Sequence, residues 1–196
     1  PDNAGRNNPS SREISRVLKA GKADIATLLN ATEGTILSEQ STTACAFRIL
    51  DAAAAGIKGS NIVCSCLDHA SFYDASTKIA DRYGLERRVA PLNPATGALD
   101  PQAVADLADE HTVSVSIIHA SNITGGKTDL SAVAAAVRAK APQAILIADG
   151  AQHVQHGIVD VSGVAIDAYV FSAYKLFSKP GFGFAYLSPR LANLPH

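Results

Sequence analysis

Residues 144–153, AILIADGAQH, and residues 167–175, DAYVFSAYK, decide how the rest of the chain is read. In each stretch an apolar run of strand length ends on polar side chains, Asp149 in the first and Ser172 and Lys175 in the second. Such continuous runs fit strands buried on both faces. In a sheet of parallel strands, ligands gather outside the carboxyl ends. A lysine placed there offers an amine for a Schiff base with an aldehyde cofactor. A strand-end aspartate can hold a protonated pyridine nitrogen. The pair therefore points to pyridoxal 5'-phosphate (PLP), with Lys175 and Asp149 as the reactive partners, and its weight depends on the neighbouring residues.

Outward from this stretch the chain alternates. Apolar runs occur at 34–38, 60–66, 86–90, 112–118, 144–148, 167–171 and 182–187, and helical patterns fall at 43–55, 70–83, 101–109 and 130–140. Alternating strands and amphipathic helices predict an α/β fold with a mostly parallel, seven-stranded sheet. The loop SKPGFG (178–183) is too short for a helical crossover, so the last strand is expected to run antiparallel. A further helix is expected over 11–30, with Ile14, Val17, Leu18, Ile25, Leu28 and Leu29 at helical spacing and Ser10 or Ser11 as its cap. The turn-rich stretch 91–101 reads as a surface connection. No repeat or linker divides the sequence, so residues 1–196 are expected to form one domain.

The 196 residues are 47 % apolar and 18 % charged, as in a protein with a filled core. A net charge of −1 without basic clusters argues against a nucleic-acid surface. The apolar runs are too short to span a bilayer, and no secretory signal is visible. The chain begins at Pro1 and contains no methionine, so the natural start is expected to lie elsewhere. Three cysteines, Cys45, Cys64 and Cys66, are too few for a disulfide framework and suit a reducing cytoplasm. Cys64 and Cys66, two apart in a strand-like run, are expected to face one side as buried thiols. No further ligands stand near them at metal-binding spacing, so no metal is expected.

Several strand ends carry candidate ligands. Ser41, Thr42 and Thr43 precede a helix and suit either a phosphate or a plain cap. Asp68-His69 follows the second strand, Asn122 the fourth, and Gln152 and His153 stand just beyond Asp149. A competing motif is SNITGGKT (121–128), which approaches the phosphate loop GxxxxGK[ST]. Lys127 would then reach phosphates and Asp149 would serve magnesium in a nucleotidase. Ser121 replaces the first glycine of that pattern, the residue that lets the loop wrap phosphates tightly.

The run 149–190, DGAQHVQHGIVDVSGVAIDAYVFSAYKLFSKPGFGFAYLSPR, resembles the PLP segment of the class V aminotransferases, a fold type I family. The likeness is greatest to the group II cysteine desulfurase and selenocysteine lyase branch. Upstream and in order, STTA is similar to its TTE segment, LDHAS to EHHAN, and VSIIHASNITG to THVSNVLG. The resemblance covers nearly the whole chain and accounts for SNITGG without a nucleotide.

The resemblance implies the PLP-binding large domain of a three-layer fold type I transferase, with a smaller C-terminal domain expected beyond His196. It implies that Lys175 forms the Schiff base and then serves as acid and base at the substrate Cα. Asp149 would pair with the ring nitrogen, His69 would stack on the ring, and Gln152 would bind the ring hydroxyl oxygen. Asn122 would lie near that oxygen and the substrate carboxylate. Thr42, Thr43 and Ser172 would bind the phosphate. Tyr174 stands where the branch has histidine (SGHK) and can still donate to phosphate, although it cannot become cationic.

The implied substrate is an amino acid, and the implied protein is a homodimer. In a C–S lyase, sulfur or selenium leaves the β-carbon and alanine remains; a sulfur-acceptor protein is then a possible partner. An aminotransferase would yield a keto acid instead. The clamp arginine and nucleophilic cysteine of the desulfurases fall in the part expected beyond His196, and none of the three cysteines here aligns with that nucleophile. A PLP-binding chain without turnover is thus a further reading, and a nucleotidase the remotest.

Overall fold

The computed structural model describes residues 7–194 of the chain; the remaining residues of the expected 1–196 domain, including the chain start at Pro1, lie outside the described residues. The first helix, α1 (Pro9–Leu28), is capped by Asn8, whose Oδ1 accepts from Ser11 N at 2.8 Å. The cap expected at Ser10 or Ser11 therefore lies earlier. Pro9 explains the shift: its fixed φ suits the first helical turn, where no N–H is needed.

There follow β1 (Thr35–Glu39), α2 (Thr42–Gly56), β2 (Asn61–Ser65), α3 (Ala70–Tyr83) and β3 (Glu86–Ala90). A two-residue hairpin, β4 (Leu92–Asn93) with β5 (Ala98–Leu99), occupies the turn-rich stretch. Then come α4 (Pro101–Ala105), β6 (Thr112–Ile118), α5 (Leu130–Lys140), β7 (Ile145–Asp149) and β8 (Ala168–Ser172). A 3-10 turn (Ala173–Leu176), β9 (Gly183–Leu187) and α6 (Pro189–Ala192) are the last elements among the described residues. Helix α4 stops short of the expected 109 because Leu107 N and Ala108 N turn to the carbonyls three residues back.

Seven strands form one sheet in the order β1-β9-β8-β7-β6-β2-β3. Pairs β2/β3, β2/β6, β6/β7 and β7/β8 are parallel, whereas β9 is antiparallel to both β8 and β1. This is the mostly parallel α/β sheet, with an antiparallel last strand, that the sequence predicts.

Strand alternation divides the buried side chains between the two faces. Val115, Ile117, Leu146, Ala148, Tyr169 and Phe171 pack in one core with Val104 of α4 and Val133 and Val137 of α5. Ile62, Val113, Ile145, Ile147 and Val170 pack in the other with Ile49 of α2 and Phe72 and Ile79 of α3. Every residue of β2, β6, β7 and β8 is buried, which is why these strands are rich in apolar residues and carry no charge before the strand-end Asp149. Each large aliphatic side chain so buried contributes roughly 1.5–3 kcal/mol.

Cys45 and Cys64 are buried as expected, but Cys66 is exposed. Strand β2 ends at Ser65, where Asp68 accepts from both the backbone N and the hydroxyl of Ser65 and closes a turn. Cys66 lies in that turn, so strand alternation does not govern it.

Candidate active site

Strands β1, β2, β6, β7 and β8 run in one direction, so their last residues meet at one edge of the sheet. A pocket of about 240 Å³ opens there. The β1–α2 turn contributes Thr42 and Thr43, and the β2–α3 turn contributes His69. Asn122 comes from the loop after β6, and Asp149 and Gln152 from the end of β7. Ser172, Tyr174 and Lys175 come from the end of β8 and the 3-10 turn. The nine candidate residues, scattered along the sequence, thus line one space. Ser41, singled out with Thr42 and Thr43 as phosphate ligand or cap, lines it too, and sequence reasoning missed Ser71, Ile118 and Ala151. A serine two residues past His69 at a helix start was the available signal for Ser71.

The hydroxyl end of the pocket is tightly built. Ser41 caps α2 by accepting from Ala44 N at 3.1 Å, and the first turn of α2 carries no acidic residue. Thr42 N donates to Ser172 Oγ at 3.1 Å, and the Thr42 and Ser172 hydroxyls lie 2.7 Å apart. Gly183 makes this approach of β9 to α2 possible, because a Cβ there would collide with the Ser41 carbonyl and Thr42 N.

At the other end lies Asp149, only 3 % exposed. Its Oδ1 accepts from Ala151 N at 3.0 Å. Burial raises its carboxyl to about 6, against the pull of that hydrogen bond and of nearby His69 and Lys175. A second carboxyl, Asp68, precedes His69 in the chain and accepts from Ser65 and Ser116. Burial lifts it to about 7, the Ser65 bonds lower it, and the charge of Asp149 adds to the rise. A buried carboxylate of this kind is poised to accept a cationic partner.

His119 and His153 go elsewhere. Their rings lie 3.7 Å apart, and His119 Nδ1 is 2.9 Å from the Tyr169 hydroxyl. Burial first, then His153 and Lys127, push His119 down to about 3, so it is neutral at ordinary pH. Together with Lys127, His119 and Tyr169 line a larger cavity of about 440 Å³. The glycine of DGAQ is required here, since a Cβ on Gly150 would enter the Tyr169 ring.

The SNITGG stretch is no phosphate cradle. Ser121 Oγ accepts from Ile123 N and Thr124 N, and Ser121 O accepts from Gly125 N. Gly126 packs on the backbone of Gly97 in the β4–β5 hairpin, too close for any side chain. The loop's amides thus bond within the loop, and the carboxylate of Asp129 caps α5.

The buried cysteines are poor nucleophiles. Burial pushes Cys45 up to about 12 and raises Cys64 as well. Among the described residues, none lining the 240 Å³ pocket is a cysteine or an arginine. No helix among the described residues is long and apolar enough to cross a membrane.

The chain is 36 % identical over 133 residues to a cysteine desulfurase of Salmonella choleraesuis, a match covering 68 % of this chain and 32 % of the relative. The cysteine desulfurase CsdA from Escherichia coli superposes with a TM-score of 0.82 at 25 % identity, over 97 % of this chain and 48 % of that one. An aspartate aminotransferase of subgroup IV from Thermus thermophilus gives 0.73 at 26 % identity, over 97 % and 52 %. The chain thus spans about a third of the curated relative and about half of the solved chains. The family profile described as aminotransferase class-V matches residues 4–195, and the chain belongs to that family.

Proposed function

We propose that this chain is the PLP-binding large domain of an enzyme acting on an amino acid, with a cysteine desulfurase-like C–S lyase as the preferred reaction. The observation that carries this reading is the buried Asp149 carboxylate sharing a pocket with the Lys175 amine and the hydroxyl-lined start of α2. These residues fit the cofactor. Asp149 offers a buried anion for a protonated ring nitrogen. The neutral cap Ser41 and a first turn of α2 without acidic residues leave the positive end of the helix dipole open to a phosphate, while Glu39 nearby is paired with Arg48.

When bound, PLP supplies an electron sink for bonds at the substrate α-carbon. Asp149 would keep the ring nitrogen protonated, and His69 would cover a ring face. Thr42, Thr43, Ser172 and the Tyr174 hydroxyl hold the phosphate, and Gln152 and Asn122 orient the ring oxygen and the substrate carboxylate. Lys175 would hold the cofactor through its amine, and the same amine would be the group to move a proton at the substrate α-carbon.

The lyase reading follows the 36 % identity to a cysteine desulfurase, and a sulfur-acceptor partner would accompany it. The similarity to an aspartate aminotransferase favours the second reading, transamination. Lack of cysteine and arginine among the described pocket residues supports a third, cofactor binding without turnover by this stretch alone. A homodimer is supported by Phe177 and Phe182, 94 % and 54 % exposed beside the lysine turn, which a second copy would cover. The free thiols Cys45, Cys64 and Cys66 suit a reducing cytoplasm.

Adding PLP to the purified chain is expected to give a visible absorption band that borohydride removes, fixing the cofactor to the peptide that holds Lys175. Lys175→Ala should lose the covalent link completely. A chain that stays colourless, or a label on another residue, refutes the proposal. Alanine released from cysteine marks the lyase, a keto acid the aminotransferase, and neither product the third reading.

A further inference from the structure

Thr43, His69 and Ser71 form one wall of the pocket and also line an open groove between α2 and α3. Ser71 is 8 % exposed and lies in the first turn of α3, just past the cap residue His69. Its Oγ is 2.9 Å from His69 Nδ1 and 2.9 Å from Thr43 Oγ1. Its backbone N–H donates to the same Nδ1 at 3.2 Å. A backbone N–H can only donate, so Nδ1 is an acceptor and the neutral ring carries its proton on Nε2. The Ser71 hydroxyl then has one self-consistent arrangement. Its O–H donates to Nδ1, and its oxygen accepts from the Thr43 hydroxyl.

We propose that Ser71 is a positioning residue that fixes the tautomer and the ring plane of His69 and ties both to the hydroxyl end of the pocket through Thr43. Without this hydroxyl, the ring of the exposed His69 keeps the 3.2 Å bond from Ser71 N and can turn about χ2. The consequence for catalysis rests on the reading of His69 as the residue that covers the cofactor ring; the link between Ser71 and His69 does not.

The test uses the full chain, labelled with ¹⁵N-histidine and free of PLP, with the His69 signal assigned by its loss in His69→Gln. The wild type is expected to show the Nε2–H tautomer. Ser71→Ala should shift the tautomer ratio roughly fivefold toward Nδ1–H, the weight of one ordinary hydrogen bond. Ser71→Thr, which keeps the hydroxyl, should restore the wild-type ratio, and urea midpoints show that each variant is folded. An Nδ1–H wild type, or an unchanged ratio in Ser71→Ala, overturns the inference. Titration of the same wild-type sample with PLP is read separately: failure to bind overturns the proposed function, while the tautomer ratios still decide the role of Ser71.

Discussion

The turn from β1 into α2 and the turn from β6 into α5 carry similar sequence signals and become opposite electrostatic objects. Each joins the carboxyl end of a strand to a helix through hydroxyl or glycine residues that suggest phosphate binding. At α2 the cap is the neutral Ser41, and the first turn faces a pocket that also holds Lys175. At α5 the cap is the carboxylate of Asp129, and the preceding amides are bonded to Ser121 and Thr124 within the loop. An anion needs N–H groups that no side chain has claimed and a dipole that no carboxylate has neutralised. Only the α2 turn meets the second condition. The pattern GGKT reports neither, because cap charge and loop hydrogen bonds are not part of it.

Glycine-to-alanine changes test this contrast most severely. A Cβ at Gly183 meets the backbone of Ser41 and Thr42, and a Cβ at Gly126 meets the backbone of Gly97 and Ala98. Neither contact can be relieved by moving a flexible side chain, so each change should cost about 2–3 kcal/mol of stability in urea unfolding. PLP uptake should then separate them. Gly183→Ala is expected to weaken it by about 100-fold, as one or two hydrogen bonds to a charged group are lost. Gly126→Ala should leave uptake near wild type. Equal losses in both variants would show that the two turns act as one unit.

What was legible in the sequence follows from the same physics. Strands β2, β6, β7 and β8 are buried on both faces, so each carries an apolar stretch that stands out, even where buried serines interrupt it in β6. Lys175, Asp149, His69, Asn122 and Gln152 could be singled out because each follows a strand, and strand ends in a parallel sheet converge. What escaped notice depends on contacts distant in sequence. Ser71 matters through Thr43, and His119 through Tyr169 and His153. The exposure of Cys66 depends on where β2 stops, which Asp68 decides through a side-chain bond. The Asn8 cap was missed because the serines after it look equally suited, and only Pro9 favours the earlier start.

Two buried groups, Asp149 at the far end of the pocket from α2 and His119 just before the β6–α5 loop, should also respond to pH in opposite directions. Asp149 rises from 3.8 to about 6 on burial, so the folded chain holds a proton that the unfolded chain has released. Its contribution is fully present below about pH 4 and is lost as pH rises through 6. His119 falls from 6.5 to about 3, so the unfolded chain takes the proton first. Its contribution is fully present above about pH 6.5 and is lost as pH falls toward 3. Between about pH 4 and 6 the two oppose each other, each on the order of 2 kcal/mol. Asp149→Asn should therefore make urea stability climb more steeply with pH across that window, and His119→Gln should make it fall. A slope unmoved by either change would mean that neither group titrates as its burial dictates.

The smallest effect is the most specific, because it leaves the structure in place and alters only the cap charge. Serine and aspartate are near-equal helix caps, so Ser41→Asp and Asp129→Ser should each change stability by less than about 0.5 kcal/mol. Ser41→Asp puts a carboxylate where the phosphate is proposed to rest and is expected to weaken PLP uptake about tenfold at low salt. The loss should shrink as salt screens the repulsion, which a lost hydrogen bond would not do. Asp129→Ser removes the opposing charge at α5 and should gain no affinity for PLP or inorganic phosphate, since the loop amides stay bonded to Ser121 and Thr124. Phosphate binding by Asp129→Ser would mean that the carboxylate alone concealed a second anion site. Unchanged uptake by Ser41→Asp would instead mean that the cofactor phosphate does not rest on α2, and the selection would then have to lie with Tyr174 and the end of β8.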